Sequence, residues 1–332
     1  MTTKRTVAER DHLADIARAA FGPQRRVADV KRVEGGTKKG VYRLTFDDAS
    51  TAIVYSWDPA ENYWPSGPAD KLDDHTDPFS HASGFDLFEA AHARLSALGI
   101  RTPHIYLADQ SKDTFPAEVA VVEDVAGGTL AMLLDEDPRA ATMVLAQLSD
   151  ALEKMHLHEA SRFGKVALID SGGTSRGSSC EQIVLEAALA DLADAAPRDP
   201  RVAHARDRLA NALHELAAAV QPRSHYRLIH GELGPEHVLV DHQGHPVIID
   251  IEGLMYFDVE WEHVFLRHRY NDQYPLLGRN DLDERRLRLY QFAMHISLVA
   301  KPLSILDSDF PHREGMIGIA ESNLERALSL VN

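Results

Sequence analysis

The chain has 332 residues, of which 44% are hydrophobic and 26% charged, and its 51 acidic and 35 basic residues give a formal net charge of −16 at pH 7. This composition excludes a disordered or collagen-like chain, and the length is sufficient for about two globular units. The acidic balance argues against a nucleic-acid partner, because binding to phosphates depends on Lys and Arg. It favours a cationic ligand instead.

Hydropathy gives no indication of a membrane segment. No run approaches the roughly 18 uncharged apolar residues of a membrane helix, and the opening MTTKRTVAER has no apolar signal-peptide core. We therefore expect a cytoplasmic protein with no membrane partner. The single cysteine, Cys180, excludes an intramolecular disulfide.

The first part of the chain is predicted to be rich in strands. Apolar residues at helical spacing predict a helix over 7–20, and short apolar runs predict strands over 41–46, 52–55, 105–108 and 119–122. A second helix is predicted over 84–98, and Gly99 is predicted to end it.

Residues 57–82 interrupt this pattern with four prolines and with the aromatic residues Trp57, Tyr63, Trp64 and Phe79. Loops of this length without structure are uncommon, and they are usually functional or disordered. Two interpretations stay open: a lid that closes over nucleotide or substrate, and an ordinary insertion. Exposed aromatic side chains would favour the lid or a binding role.

Helices dominate beyond residue 125. Leu145, Leu148, Leu152 and Met155 recur at helical spacing, and Ala/Leu-rich helices are predicted over 181–195 and 202–220. The change from strands to helices near residues 123–128 divides the chain into two parts, 1–125 and 126–332. The predicted fold class is therefore α+β.

One polar segment interrupts the helices. Residues 230–237 (HGELGPEH) are predicted to form a loop, followed by short strands over 238–241 and 246–249 that lead to Asp250. The loop, the hairpin and the carboxylate are predicted to meet in one small volume. Chemistry is usually placed on loops anchored in this way.

The sequence from Leu228 to Gly253 is LIHGELGPEHVLVDHQGHPVIIDIEG. It resembles the catalytic core of the aminoglycoside phosphotransferase family of small-molecule kinases, whose usual pattern is H-G-D-x-x-x-x-N, a hairpin and then I-D-x-E. The resemblance implies a two-lobed, protein-kinase-like fold. It assigns 1–125 to a β-rich, nucleotide-binding N-lobe and 126–332 to a mainly helical C-lobe for catalysis and substrate binding.

The resemblance also assigns roles to single residues. Glu232 stands in the place of the catalytic aspartate, and His237 stands in the place of the asparagine, as in macrolide phosphotransferases. Asp250 stands in the place of the metal-binding aspartate. The expected cofactors are ATP or GTP with Mg²⁺.

Elementary chemistry agrees with these roles. A carboxylate at Glu232 can accept a hydrogen bond from the acceptor hydroxyl and orient it. Asp250 supplies the oxygen ligands that Mg²⁺ prefers. The imidazole of His237 is a softer ligand, which suits Mn²⁺ better or holds the ion through water.

Residues 34–43 (EGGTKKGVYR) precede a strand and are similar to the family's glycine-containing nucleotide loop. The resemblance assigns Gly35, Gly36 and Gly40 to nucleotide binding, because glycines let backbone N–H groups approach phosphates closely. The stretch is not a P-loop, since Val41 stands where that motif requires a lysine and a strand follows instead of a helix.

The strand lysine of kinase-like folds is missing. Alternation along the strand puts Tyr55 in its place, and residues 51–70 contain no Lys or Arg. Three explanations stay open: Lys38 or Lys39 reaches in from the glycine loop, Tyr55 donates a hydrogen bond to a phosphate, or nucleotide binding is impaired. Glu89 either fits the family's helix glutamate or is a solvated residue.

Two further groups of residues have predicted roles. The resemblance implies that main-chain atoms at Glu123 and Val125 form the hinge that contacts adenine. The negative charge of four acids predicts contacts with a cationic substrate: Glu252, Asp258, Glu260 and Glu262. For Asp258 and Glu262 the alternative is a role as acids at a helix N-terminus, where they interact favourably with the helix dipole.

The resemblance implies an ATP- or GTP-dependent O-phosphotransferase that phosphorylates a hydroxyl of a small cationic antibiotic and so confers resistance. The antibiotic would be an aminoglycoside or a basic peptide of the tuberactinomycin type, such as capreomycin or viomycin. Two alternatives stay open: a degenerate kinase fold that binds without catalysis, and a kinase for another small metabolite. Monomer and dimer are both compatible with the sequence.

Overall fold

The computed structural model describes residues 8, 10–33, 36–64, 74–80 and 83–331. The chain divides into two compact units. The first unit consists of Met1–Trp64, Ala82–Val144 and Glu236–Glu252, and the second of Pro65–His81, Leu145–Pro235 and Gly253–Asn332. The assignment of 1–125 and 126–332 to a nucleotide-binding and a catalytic lobe stays a prediction.

A five-stranded antiparallel sheet forms the centre of the first unit, in the order β1-β2-β3-β5-β4. The strands are β1 (Val27–Arg32), β2 (Gly40–Phe46), β3 (Thr51–Ser56), β4 (Ile105–Asp109) and β5 (Val119–Glu123). The helices are α1 (Arg10–Phe21), α2 (Phe85–Ala97) and α3 (Leu130–Glu136). Strand β2 alternates between buried and less buried side chains, and helix α1 packs Leu13 and Ile16 into the same apolar cluster as Leu44.

The first unit also contains a short hairpin, β9 (Val238–Val240) and β10 (Pro246–Ile248). The Val240 N–H donates a hydrogen bond to the Gly128 carbonyl at 2.9 Å. At Gly127 the backbones approach so closely that a Cβ atom would lie 2.0 Å from the Val240 carbonyl oxygen. Only glycine fits there, so this contact fixes the hairpin within the unit.

The second unit combines a small sheet with helices. Its sheet has the order β6-β8-β11-β7, from β6 (Glu159–Ala160), β7 (Gly164–Lys165), β8 (Tyr226–Ile229) and β11 (Met255–Phe257). Its helices are α4 (Pro138–Leu157, from Leu145 onward), α5 (Val166–Asp170), α6 (Cys180–Ala195), α7 (Pro200–Ala218), α8 (Val259–Tyr270), α9 (Glu284–Ile305) and α10 (Arg313–Ser329). Within the described residues, no helix is long and apolar enough to cross a membrane.

The predicted α+β class is confirmed, with a β-sheet in the amino-terminal region and helices in the carboxy-terminal region. The four predicted strands of the first part are β2 to β5, and Gly99 ends helix α2 in a left-handed conformation with φ of +67°. Strand β1 was missed. Its sequence VADVKR is mostly polar or small, and among the described strands it pairs only with β2. An irregularity between Val27 and Asp29 also breaks the alternation.

The segment over 57–82 differs from the expectation of exposed aromatic residues. Trp57 and Tyr63 are buried, at 8% and 7% exposure. In the described stretch 74–80, which belongs to the second unit, the Phe79 ring lies 4.7 Å from the Trp261 ring. The expectation that these aromatic side chains are exposed, which favoured a lid, is therefore wrong at these positions. Residues 65–73 and 81–82 lie outside the described part of the chain.

Candidate active site

Lys39 lies beside Tyr55, the residue that stands where kinase-like folds carry the strand lysine. It lies immediately before β2, and its ammonium makes ion pairs with Glu252 and, at 3.2 Å, with Asp250 Oδ1. The same nitrogen lies 5.0 Å from the centroid of the Tyr55 ring, within the range of a cation–π interaction. The structure therefore brings Lys39 from the glycine loop to Tyr55, and a role for this lysine in nucleotide binding stays a prediction.

Electrostatics keep this lysine charged. The Lys39 side chain is only 11% exposed. Burial alone would lower the pKa of its ammonium, but the charges of Glu252 and Asp250 outweigh burial and raise that pKa above its ordinary value. The cluster is thus a cation held between two carboxylates beside an aromatic face.

Several contacts within the first unit fix the glycine loop. The Tyr63 N–H donates to the Thr37 carbonyl at 2.9 Å, and the indole N–H of Trp64 donates to the Thr37 hydroxyl at 3.1 Å. At Gly40 a Cβ atom would lie 2.8 Å from the carboxyl carbon of the buried Glu61. Residues 61–64 were predicted to lie in the long loop over 57–82. The structure shows that they support the glycine loop, which carries Lys39.

Asp250 follows strand β10 in a left-handed conformation, with φ of +59°. This conformation is uncommon for residues other than glycine and often marks functional positions, although Asp tolerates it better than most residues. His237 lies beside it, with Nε2 at 3.8 Å from Asp250 Oδ2, and the Ile249 N–H donates to the His237 carbonyl at 3.0 Å. The hairpin thus brings together the two residues predicted to bind the metal.

The chemistry of this cluster fits a divalent cation. The pair Asp250 and Glu252 already accepts a cation, the Lys39 ammonium, and Glu252 Oε2 is buried without a hydrogen-bond partner in the described part of the chain. No group of three or more His, Cys, Asp or Glu side chains is arranged to hold a metal among the described residues. Mg²⁺ needs only one or two carboxylates when phosphates and water complete its shell.

Glu232 lies in the loop of residues 230–235, in the second unit, and its side chain is exposed. Glu262, which is fully buried, accepts hydrogen bonds from the N–H groups of His230 at 2.6 Å and Gly231 at 3.3 Å. Burial raises the pKa of Glu262 to about 7, although the backbone hydrogen bonds act in the opposite direction. Glu262 therefore positions the backbone of the loop that presents Glu232.

Two other acids assigned to substrate binding are also occupied inside the protein. Asp258 is bound by Arg286 and by the Tyr290 hydroxyl at 2.5 Å, and Glu260 makes two hydrogen bonds with Arg223 at 2.6 and 2.7 Å. The side chains of Asp258 and Glu260 are 0% exposed. Unlike the expectation of substrate contacts, the structure gives Asp258, Glu260 and Glu262 internal partners. Asp258 and Glu262 lie at the N-terminus of α8, as their alternative interpretation predicts.

The remaining predicted residues lie as follows. Glu123 forms an ion pair with Arg101 at 2.8 Å. The hydrogen bonds from Arg101, together with its charge, lower the pKa of the Glu123 carboxyl. Val125 is buried. Glu89 is exposed, as its solvated interpretation expects. Gly36 and Lys38 are half-buried, whereas Gly35 lies outside the described residues.

A sequence model of the phosphotransferase enzyme family matches residues 29–295, which is most of the chain. The chain belongs to this phosphotransferase family. The predicted resemblance and the predicted class of enzyme are therefore confirmed at the level of the family. No curated protein gave a significant match by sequence.

Solved structures of similar fold include other phosphotransferases. A thermostable mutant of aminoglycoside phosphotransferase APH(4)-Ia, in a ternary complex with ADP and hygromycin B, superposes with a TM-score of 0.60 at 16% identity, over 94% of this chain and 98% of that one. The GDP and kanamycin complex of APH(2")-IIia gives 0.60 at 18% identity, over 95% and 99%. LicA in complex with AMP gives 0.60 at 12% identity, over 96% and 97%. At these identities the likeness establishes the kinase-like fold of this phosphotransferase.

Proposed function

We propose that this phosphotransferase transfers the γ-phosphoryl group of ATP or GTP to a hydroxyl of a small cationic molecule. The observation that carries the proposal is the cluster of Lys39, Asp250 and His237 in the first unit, beside the glycine loop. Phosphoryl transfer depends mainly on positioning and on neutralising phosphate charge, and this cluster offers the groups for both.

The nucleotide would be held by the first unit. The backbone at Gly35, Gly36 and Gly40 would approach the phosphates, with Lys38 and Lys39 supplying positive charge and Tyr55 flanking Lys39. Main-chain groups at Glu123 and Val125 would contact the base. Asp250 and His237 would hold Mg²⁺ or Mn²⁺, and the bound ion supplies neutralisation of the phosphate oxygens.

The transfer itself requires a proton acceptor near the substrate. The acceptor oxygen forms a bond to the γ-phosphorus, the bond from that phosphorus to the β,γ-bridging oxygen breaks, and the nucleoside diphosphate leaves. The Glu232 carboxylate accepts a hydrogen bond from the acceptor hydroxyl, orients it and receives its proton. Because Glu232 is exposed on a loop that Glu262 holds, its carboxylate is accessible to a substrate.

The substrate is proposed to be a cationic antibiotic, an aminoglycoside or a tuberactinomycin-type peptide, whose phosphorylation confers resistance in the cytoplasm. The net charge of −16 supports a cationic ligand. Neighbours in fold bind hygromycin B and kanamycin, together with ADP or GDP. Glu252 is not among the proposed substrate contacts, because its carboxylate already forms an ion pair with Lys39.

The test is a mass measurement on substrates. The protein is incubated with ATP or GTP, with Mg²⁺ or Mn²⁺, and with a panel of aminoglycosides, tuberactinomycins, choline and amino sugars, and a gain of about 80 Da marks phosphorylation. A gain on a cationic antibiotic supports the proposal. No gain on any member, with no nucleotide-dependent shift in melting temperature, would overturn it; a nucleotide-dependent shift without any gain would favour the non-catalytic alternative.

Glu232→Ala tests the proposed proton acceptor. We expect kcat to fall by about 10²–10⁴-fold, since general-base catalysis contributes that much, with the nucleotide Kd almost unchanged. Glu232→Asp, which keeps a carboxylate, is the matched control and should retain most of the activity. Turnover of the alanine variant at the wild-type rate would show that the assignment is wrong.

A further inference from the structure

The Lys39 ammonium lies where a metal ion would be expected to bind. It contacts one oxygen of Asp250 at 3.2 Å and one oxygen of Glu252, two carboxylates that are separated by a single residue. Asp250 is the residue assigned to the metal in the proposed function. The lysine and a divalent cation therefore compete for the same carboxylate oxygens.

The site requires a cation at all times. The Glu252 side chain is 4% exposed, and its Oε2 atom has no hydrogen-bond partner in the described part of the chain. A buried carboxylate without a counter-charge is costly. In the nucleotide-free protein Lys39 meets this need, and its departure becomes favourable only when another cation takes its place.

Tyr55 offers the ammonium a second contact. In kinase-like folds this strand position carries the lysine, whereas here β3 presents an aromatic ring whose centroid lies 5.0 Å from Lys39 Nζ. A ring face stabilises a cation without holding it by a fixed hydrogen bond. The ammonium can thus change its anionic partner while it keeps this contact.

We propose that Lys39 is an exchangeable counter-ion, which neutralises Asp250 and Glu252 in the empty enzyme and moves to the nucleotide phosphates when a divalent metal takes its place. This inference rests on the proposed function, because it assumes that Asp250 binds metal. Two cations at contact distance repel each other, so Lys39 weakens metal binding in the absence of nucleotide and strengthens it when phosphates are present to receive the ammonium.

The test measures Mn²⁺ binding to the nucleotide-free protein by electron paramagnetic resonance. Lys39→Met should bind Mn²⁺ about 10-fold more tightly than wild type, because the competing charge is gone. Lys38→Met is the matched control: it removes the same charge from the adjacent, half-buried position, and its Mn²⁺ affinity should stay within about 2-fold of wild type. In a second measurement, Lys39→Met should bind Mg·ADP about 10-fold more weakly, and Lys38→Met should show a smaller loss.

Equal Mn²⁺ affinity of Lys39→Met and Lys38→Met would overturn the inference, as would weaker Mn²⁺ binding by Lys39→Met. Melting curves establish that each variant is folded. If Lys39→Met does not fold, acetylation of the wild-type protein, read by mass spectrometry, replaces it: Mn²⁺ should increase modification at Lys39 but not at Lys38, and no increase at Lys39 would overturn the inference. The two proposals fail separately, because phosphoryl transfer by the wild type can be observed whatever the Mn²⁺ comparison shows.

Discussion

Gly40 is a residue of the glycine loop at which the structure leaves no room for a side chain. A Cβ atom would lie 2.8 Å from the Glu61 carboxyl carbon and 2.8 Å from the Tyr42 ring. Glu61 is 3% exposed and is itself bound by Arg32 at 2.5 Å, so it cannot move aside easily. The constraint comes from packing, and φ at Gly40 is not in the left-handed region.

We therefore predict that Gly40→Ala lowers the free energy of unfolding by about 1–3 kcal/mol, as overpacking of a buried site does, and weakens nucleotide binding. Urea unfolding and a nucleotide titration measure the two effects. Gly318→Ala is the control, because it lies in helix α10 in open space. Alanine there should stabilise the protein by about 0.5–1 kcal/mol. A neutral Gly40→Ala variant would contradict the argument.

The sequence predicted which residue types meet at the hairpin but not the direction of each side chain. The family resemblance located Asp250 and His237, and the predicted hairpin returns the chain to the end of the preceding loop, where the two residues meet. The sequence could not choose between Lys38 and Lys39, since loop residues do not follow the alternation that fixes side-chain direction in a strand. The choice depends on contacts from Thr37 to Tyr63 and Trp64, which no local pattern reveals.

At the scale of elements, buried ion pairs join helix α8 to its neighbours. Arg286 in α9 is 1% exposed and binds Asp258, which precedes α8, as well as the Tyr290 hydroxyl at 3.3 Å and Glu181 at 3.4 Å. Desolvation raises the pKa of Asp258 to about 6, although the charge of Arg286 acts to lower it. The Asp258 carboxylate is thus ionised at neutral pH because the charges of Arg286 and Arg223 offset part of the effect of burial.

Arg286→Met should lower the free energy of unfolding by about 3–5 kcal/mol, because it leaves a buried carboxylate without its main partner. The loss should be smaller at pH 5 than at pH 8, since protonation of Asp258 removes the unpaired charge. Guanidinium unfolding at both pH values is the measurement. Arg288→Met, two positions further along α9 on an exposed side chain, should change stability by no more than about 0.5 kcal/mol. Equal losses in the two variants would contradict the assignment.

This network also explains why the sequence did not predict the partners of the acids after residue 257. Asp258, Glu260 and Glu262 were assigned to a cationic substrate, with a place at a helix N-terminus as the alternative for Asp258 and Glu262. Their partners lie far away in sequence: Arg223 is 37 residues from Glu260, and Arg286 is 28 residues from Asp258. Non-local pairing of this kind leaves no trace in local periodicity, whereas helices such as α6 and α7 were predictable because their apolar spacing is local.

At the scale of the whole molecule, buried histidines make the free energy of unfolding depend on pH. The rings of His156 and His263 lie 5.5 Å apart and are 1% and 0% exposed. Burial lowers the pKa of His263 to about 3, with the charges of Arg279 and Arg267 adding to the effect, and burial also lowers the pKa of His156 well below its ordinary value. Both imidazoles therefore stay neutral in the folded protein.

Because the folded pKa of His263 is lowered, its contribution to stability is complete above about pH 6.5, the unfolded value, and is lost as the pH falls towards about 3. Asp258 and Glu262, whose pKa values are raised to about 6 and about 7, act in the opposite direction over part of this range. A comparison of variants isolates the histidine from these acids.

Between pH 7.5 and pH 5.0, wild type should lose about 2 kcal/mol more free energy of unfolding than His263→Gln, because only the wild-type unfolded chain gains a proton at this position. Urea unfolding at the two pH values measures the difference. His214→Gln serves as the control, since His214 is exposed and its removal should leave the pH dependence unchanged. If His263→Gln loses as much stability on acidification as wild type, the buried imidazole is not the group that titrates, and the loss belongs to other ionisable groups.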